Sequence, residues 1–273
     1  MRRRPARRVC HRCDMASPSP GRLAAARATL VDDRRLATLT SVGFVVVSAC
    51  GLLIAKLLDD VMGADDTAKL DPAILRWVVA HRSHAVTTAM RGVTHLADPW
   101  TITAVTVVSA LWMLAISRPR LSALIVCSTV GTSVATSIAK YAVDRPRPAM
   151  SLRLSAASGA AFPSGHAAQS VACYAAVAVV GSALVRRRTT RVALGATAVL
   201  IAVAVGSSRV YLGVHWPSDV VCGWAVATSW LVSLVLAGWA RPRISTAWSA
   251  HRSPVSNDPS NDPSNDPSSG PVD

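Results

Sequence analysis

Eight residues in three short runs have the chemistry to bind and attack a tetrahedral oxyanion. The first run is Lys140, six residues, then Arg147-Pro148. The second is Pro163-Ser164-Gly165-His166. The third is Ser208-Arg209, five residues, His215, three residues, Asp219. Lys140 supplies a compact positive charge, and Arg147 and Arg209 supply planar forks that match phosphate oxygens. Pro146 and Pro148 stop a helix and hold Arg147 in an extended loop. Ser164 is placed to cap a helix whose first free N–H groups, from Gly165 onward, would point at a bound anion. A glycine there lets the backbone approach that anion closely.

The histidines add reactivity to this anion hole. His215 and Asp219 are four apart, so a helical first turn puts them on one face. Asp219 then accepts the proton of one ring nitrogen and leaves the other free to attack, as in a nucleophilic triad. His166 is the expected general acid for the leaving oxygen. Arg145 and Arg153 stand nearby, either as further phosphate contacts or as ordinary loop charges. Each run alone is a weak signal, since Lys140 could merely snorkel and His166 could merely cap. Their joint occurrence carries the reading.

The elements that position these runs are read from hydropathy. The chain has 273 residues, 51% of them hydrophobic, with a formal net charge of +14. Greasy and basic together fits a membrane protein with its charges in loops. A helix needs about 20 apolar residues to cross a bilayer. Six stretches qualify, at roughly 39–58, 100–117, 121–141, 165–185, 192–212 and 220–239. This predicts an all-α polytopic membrane protein, six transmembrane helices in a bundle. With the N-terminus cytoplasmic, 19 of the 26 arginines fall in inside loops and 7 outside, as the positive-inside rule requires. Both termini are then cytoplasmic, the first span reads as a signal anchor, and all three polar runs lie on the extracytoplasmic side.

Three regions flank or interrupt this bundle. Residues 1–37 form a basic segment expected to be disordered or to lie on an anionic cytoplasmic surface. Residues 38–242 form the membrane domain, and 243–273 a disordered tail with three Ser-Asn-Asp-Pro repeats. Between the first two spans, Val86, Met90, Val93 and Ala97 recur at helical spacing. They predict an amphipathic interfacial helix, acting as a lid or lipid-entry edge, or else a cover packed on the bundle. Cys10 and Cys13 form a lone CxxC without the second pair that zinc needs. No metal site and no cofactor are expected.

The three runs resemble the signature of the type 2 phosphatidic acid phosphatase (PAP2) superfamily, matching it at every fixed position between Lys140 and Asp219. The resemblance implies a metal-independent phosphatase with a phosphohistidine intermediate. It implies His215 as nucleophile, Asp219 as its orienting partner and His166 as the acid. It implies Lys140, Arg147, Ser164, Gly165 and Arg209 as phosphate binders. The membrane spans point to the lipid phosphatase branch rather than the soluble haloperoxidases. The expected activity is a lipid phosphate or polyprenyl diphosphate phosphatase acting at the outer membrane face. The expected partners are that substrate and membrane lipids, with no nucleic acid and no obligate protein partner. A phosphotransferase with an acceptor other than water is the nearest alternative. A non-catalytic transporter is a weaker one, because it would spread polar residues along several spans.

Overall fold

A computed structural model describes residues 20–63 and 66–250, with side chains over 36–63 and 69–238. The described residues are helical, with no strand among them. In chain order the helices are α1 Pro20–Gly63, α2 Asp66–Ala80, α3 His84–Thr94, α4 Pro99–Ala115 and α5 Pro119–Val143. They continue with α6 Gly165–Ser170, α7 Ala176–Leu184, α8 Arg188–Tyr211 and α9 Pro217–Ala250. A π turn, Val171–Ala175, joins α6 to α7 as one span. Proline opens α4, α5 and α9, where its missing N–H leaves no hydrogen bond unmade and its fixed φ suits the first turn.

Five of these segments are long and apolar enough to cross a membrane. The sixth is a bent pair, His84–Ala97 with Pro99–Ala115, meeting at 46°. The six expected spans all correspond to helices. Large apolar side chains such as Phe44, Leu52, Val108, Leu111 and Leu200 are exposed on the bundle surface. That suits a protein whose solvent there is lipid.

The domain boundaries expected at 37/38 and 242/243 both fall inside helices, α1 and α9. Residues 20–37 are rich in alanine, leucine and arginine, which favour helix, so α1 starts well before its apolar stretch. Cys10, Cys13 and the Ser-Asn-Asp-Pro repeats lie outside the described residues.

The bundle is held by small clusters. Met113, Ile125, Ala176, Val180 and Leu231 join α4, α5, α7 and α9. Ala97, Ile102, Cys173 and Val205 join the α3–α4 joint to the π turn and α8. From the predicted apolar stripe, Val93 and Ala97 pack into the second cluster, Met90 packs against Tyr211, Leu212 and Val214, and Val86 stays exposed. Of the two roles expected for that stripe, packing on the bundle is what is seen. Ser83 caps α3 by accepting the Val86 N–H at 3.4 Å.

One close approach matters for the site. A Cβ on Gly223 would lie 2.6 Å from the Ser164 carbonyl oxygen. Only glycine lets α9 come this near the start of α6. The ends of α5 and α8 and the starts of α6 and α9 therefore meet at one end of the bundle. At the opposite end, Arg118, Arg186 and Arg187 lie in loops, and Arg120, Arg188 and Arg191 lie in the first turns of α5 and α8.

Candidate active site

Residues 212–216 form the loop between α8 and α9, and the loop turns at Gly213 with φ +72°. A side chain would be strained in that left-handed conformation. The His215 N–H reaches back to the Arg209 carbonyl at 3.3 Å, which folds the loop over the end of α8. His215 thus sits two residues before α9 and not within its first turn, as the four-residue spacing had suggested. Its Nδ1 still lies 3.3 Å from Asp219 Oδ2, so the pair forms through the loop. Asp219 is fully buried. It also accepts the Trp216 N–H at 2.8 Å and an Arg145 N–H at 2.6 Å.

His215 is 2% exposed. Burial pushes its ring down to about 4, and Arg147 and Arg209 add to this against the opposing pull of Asp219. The ring is therefore neutral near pH 7. With its Nδ1 proton held on Asp219, Nε2 keeps a lone pair. Arg147 Nη1 lies 3.1 Å from that nitrogen, so a guanidinium covers the atom expected to attack.

Arg147 is otherwise held by carbonyl oxygens. It donates to Gly159 at 2.9 Å, Val214 at 2.8 Å, Ser158 at 3.1 Å and Ala160 at 3.2 Å. Its pKa lies below the ordinary value, first through burial and then through Arg153, with Asp219 opposing. Lys140, at the end of α5, donates to the same Ala160 carbonyl at 2.8 Å. One loop carbonyl thus brings the two cations of the first run together. Arg209 donates Nη1 to Thr94 Oγ1 at 2.8 Å, while its buried Nε has no partner.

Ser164 occupies the cap position of α6, as expected, but its side chain makes no cap bond. Its hydroxyl is buried and unpartnered. Its N–H donates to the Asp219 carbonyl at 2.9 Å, which ties this turn to the start of α9. A Cβ on Gly165 would meet nothing within 4 Å, so space is left beside this backbone. His166 follows, half-buried, with Nε2 3.2 Å from Asp98 Oδ1. A cavity of about 650 Å³ opens against Lys140, Gly165 and His166 and runs between α4 and α5. Its wall is mainly apolar, relieved by the hydroxyls of Thr103, Thr129, Ser133 and Thr136.

The charges sort into two sets. Among the described residues, Lys140, Arg147 and Arg209 form no salt bridge with a carboxylate. Arg145 does the opposite, bridging Asp71 at 2.8 Å and Asp219 at 2.6 Å. Its guanidinium is taken up by these two carboxylates. Arg153 binds the Pro148 carbonyl at 2.8 Å and serves the loop. Unpartnered buried donors such as Arg209 Nε and Ser164 Oγ are costly unless a ligand satisfies them. With three cations that lack carboxylates, they describe a receptor for an anion with several oxygens. Among the described residues, no three His, Cys, Asp or Glu side chains come together as a metal site would need.

Sequence reading missed Asp71, Thr94 and Asp98. All three lie between the first span and α4, and each touches a signature residue or its neighbour. Asp71 accepts the Ser218 N–H at 3.0 Å and pairs with the Ser218 hydroxyl as well as Arg145. Their partners are 68 to 147 residues away, so no local pattern announces them.

Residues 120–243 match the PAP2 superfamily. The fold is similar to the crystal structure of the first transmembrane PAP2 type phosphatidylglycerolphosphate phosphatase from Bacillus subtilis. That match has 25% identity and a TM-score of 0.62, over 71% of this chain and 94% of that one. Aquifex aeolicus LpxE also matches, at 21% identity and a TM-score of 0.49, over 61% of this chain and 94% of that one. No curated protein matches. Residues 120–243 thus carry the PAP2 superfamily match, and the described helices have the fold of a transmembrane PAP2 type phosphatase.

Proposed function

We propose that this protein is an integral membrane phosphatase that removes phosphate from a lipid phosphate or polyprenyl diphosphate at the outer membrane face. The observation that carries the reading is the set of three carboxylate-free cations beside a neutral histidine. Orphaned Arg209 Nε and Ser164 Oγ complete that set. An apolar cavity that reaches Lys140 and His166 from between two membrane helices suits a substrate with a lipid tail. The similar Bacillus subtilis protein is itself a phosphatidylglycerolphosphate phosphatase. The arginine asymmetry, 19 against 7, supports cytoplasmic termini and an outward site.

The chemistry follows from the placements. Lys140, Arg147, Arg209, Ser164 and the Gly165 N–H bind the phosphate oxygens and neutralise charge without a metal. Arg147 moves from His215 Nε2 to the incoming anion. His215 Nε2 then bonds to phosphorus as the bond to the leaving oxygen breaks. His166 gives a proton to that oxygen. Asp219 holds the Nδ1 proton and the charge that develops on the ring. Water next attacks the phosphohistidine, returning its proton to His166. Phosphate leaves, and the electron pair returns to His215.

The test is phosphate release by purified protein across a panel of lipid phosphates and prenyl diphosphates, with EDTA present. At least one member should be hydrolysed, and vanadate should inhibit. No release from any member, or activity that needs added magnesium, would contradict the reading. The orientation is tested separately with single cysteines and an impermeant thiol reagent in intact cells. Labelling is expected in the 149–161 loop and not in the 185–188 loop.

A further inference from the structure

Asp98 is the residue before α4, with extended backbone at φ −62° and ψ 148°. An aspartate there ordinarily accepts an N–H from the first turn. This one makes no cap bond. Its two oxygens instead face two histidines, Oδ1 toward His166 Nε2 at 3.2 Å and Oδ2 toward His95 Nδ1 at 2.6 Å.

The joint that carries Asp98 is pinned on both sides. The Thr101 hydroxyl donates to the His95 carbonyl at 2.7 Å, and the Ile102 N–H donates to the Asp98 carbonyl at 3.0 Å. The Tyr174 hydroxyl, from the π turn below His166, donates to the Leu96 carbonyl at 2.6 Å. Asp98 and His166 are thus fixed relative to each other by the same short piece of α3, α4 and the π turn. Among the described residues, nothing bonds His166 Nδ1. The ring is gripped at one nitrogen and free at the other, on the wall of the cavity.

We propose that Asp98 is the positioning residue of the leaving-group acid, holding the Nε2 proton of His166 so that Nδ1–H faces the departing oxygen. This rests on the phosphatase reading above. As the phosphorus–oxygen bond breaks, the leaving oxygen takes the Nδ1 proton, and His166 becomes neutral with its Nε2 proton still on Asp98. When water attacks the phosphohistidine, Nδ1 takes the proton back. The carboxylate is never protonated. It plays toward His166 the part that Asp219 plays toward His215, and it lies outside the residues that match the superfamily, 120–243.

The test uses the full-length enzyme in single-turnover phosphoenzyme formation, with an alkyl lipid phosphate and with p-nitrophenyl phosphate. The variants are Asp98→Asn, His166→Ala and the two combined. A leaving group that is stable as an anion needs little acid help. Asp98→Asn should therefore slow the alkyl substrate about 10–100-fold more than the aryl one, the range for losing a residue that orients a reacting group. The combined variant should be no slower than His166→Ala alone. Equal loss on both substrates, an unchanged rate on the alkyl substrate, or a further additive loss in the combined variant would overturn the assignment. The aryl rate reports that each variant is folded. If wild type formed no phosphoenzyme from either substrate, the reading of the site would fall and this assignment with it. If His166→Ala and Asp98→Asn both discriminate between leaving groups, both stand.

Discussion

The signature residues between 140 and 219 and the connector between 66 and 98 treat charge in opposite ways. In the first region Lys140, Arg147 and Arg209 carry no carboxylate partner, and Arg209 Nε and Ser164 Oγ have no partner at all. In the second, Asp71, Thr94 and Asp98 each bond a group on a helix from the first region, Ser218, Arg209 and His166. The cations of the first region meet only neutral groups, and the carboxylates of the second are paired with charged or polar ones. In the proposed function the motif supplies the chemistry, and the connector fixes its geometry.

This comparison breaks first at the nucleophile. His215→Ala should lower turnover at least about 10⁴-fold on alkyl and aryl phosphates alike, because no covalent bond can form. Steady-state rates on both substrates check this. A variant rescued by the aryl phosphate would assign the ring to proton transfer instead.

Next come the cations without a carboxylate partner. Arg209→Gln should cost about 10²–10³-fold in kcat/KM, the range for losing one donor to developing charge, and should weaken vanadate inhibition in parallel. Arg209 is 5% exposed and its only described side-chain partner is Thr94. A loss of activity with vanadate binding intact would mean that it does not face the anion.

The connector should give smaller effects of a different kind. Asp71→Asn and Arg145→Gln are expected to cost about 10–100-fold, mainly in kcat. They act on Asp219 and not on the phosphate. A rise in KM with kcat unchanged would place Arg145 in the anion hole after all. Thermal unfolding in detergent separates either result from loss of the fold, since Asp71 is buried.

The smallest effect is a titration. Burial holds His215 down to about 4, against an ordinary value of 6.5. Between those values the unfolded chain binds the proton more readily than the folded one. The contribution to stability is therefore present above about 6.5 and lost as pH falls through about 4. Nitrogen-15 spectra of labelled histidine, assigned with His215→Ala, should show this ring neutral at pH 5.5. A ring half-protonated near 6.5 would show that it is not buried as described.

What was legible in the sequence follows the same division. Six apolar stretches of membrane-crossing length predict six spans, and the bundle has helices at all six. The three runs meet because successive helices alternate in direction. The pairing of His215 with Asp219 was legible but not the backbone that makes it, because α9 starts only at Pro217 and leaves His215 in a loop. Arg145 read as either a further phosphate contact or an ordinary loop charge, and it is neither in the structure, because buried Asp71 and Asp219 pair with it. Asp98 looked like an ordinary residue before Pro99. It does precede a helix, and only the fold shows that its side chain has turned to two histidines. Contacts of this kind depend on packing across 68 or more residues, which no periodicity encodes.

The central claim is that phosphate passes through His215. Rapid acid-free quenching of a single turnover with a phosphorus-32-labelled lipid phosphate, followed by proteolysis and mass spectrometry, tests it most directly. The account predicts one labelled peptide containing His215, with phosphate that survives alkali and is lost in acid. Label on Ser164 or on an aspartate, or turnover with no labelled peptide at all, would contradict it.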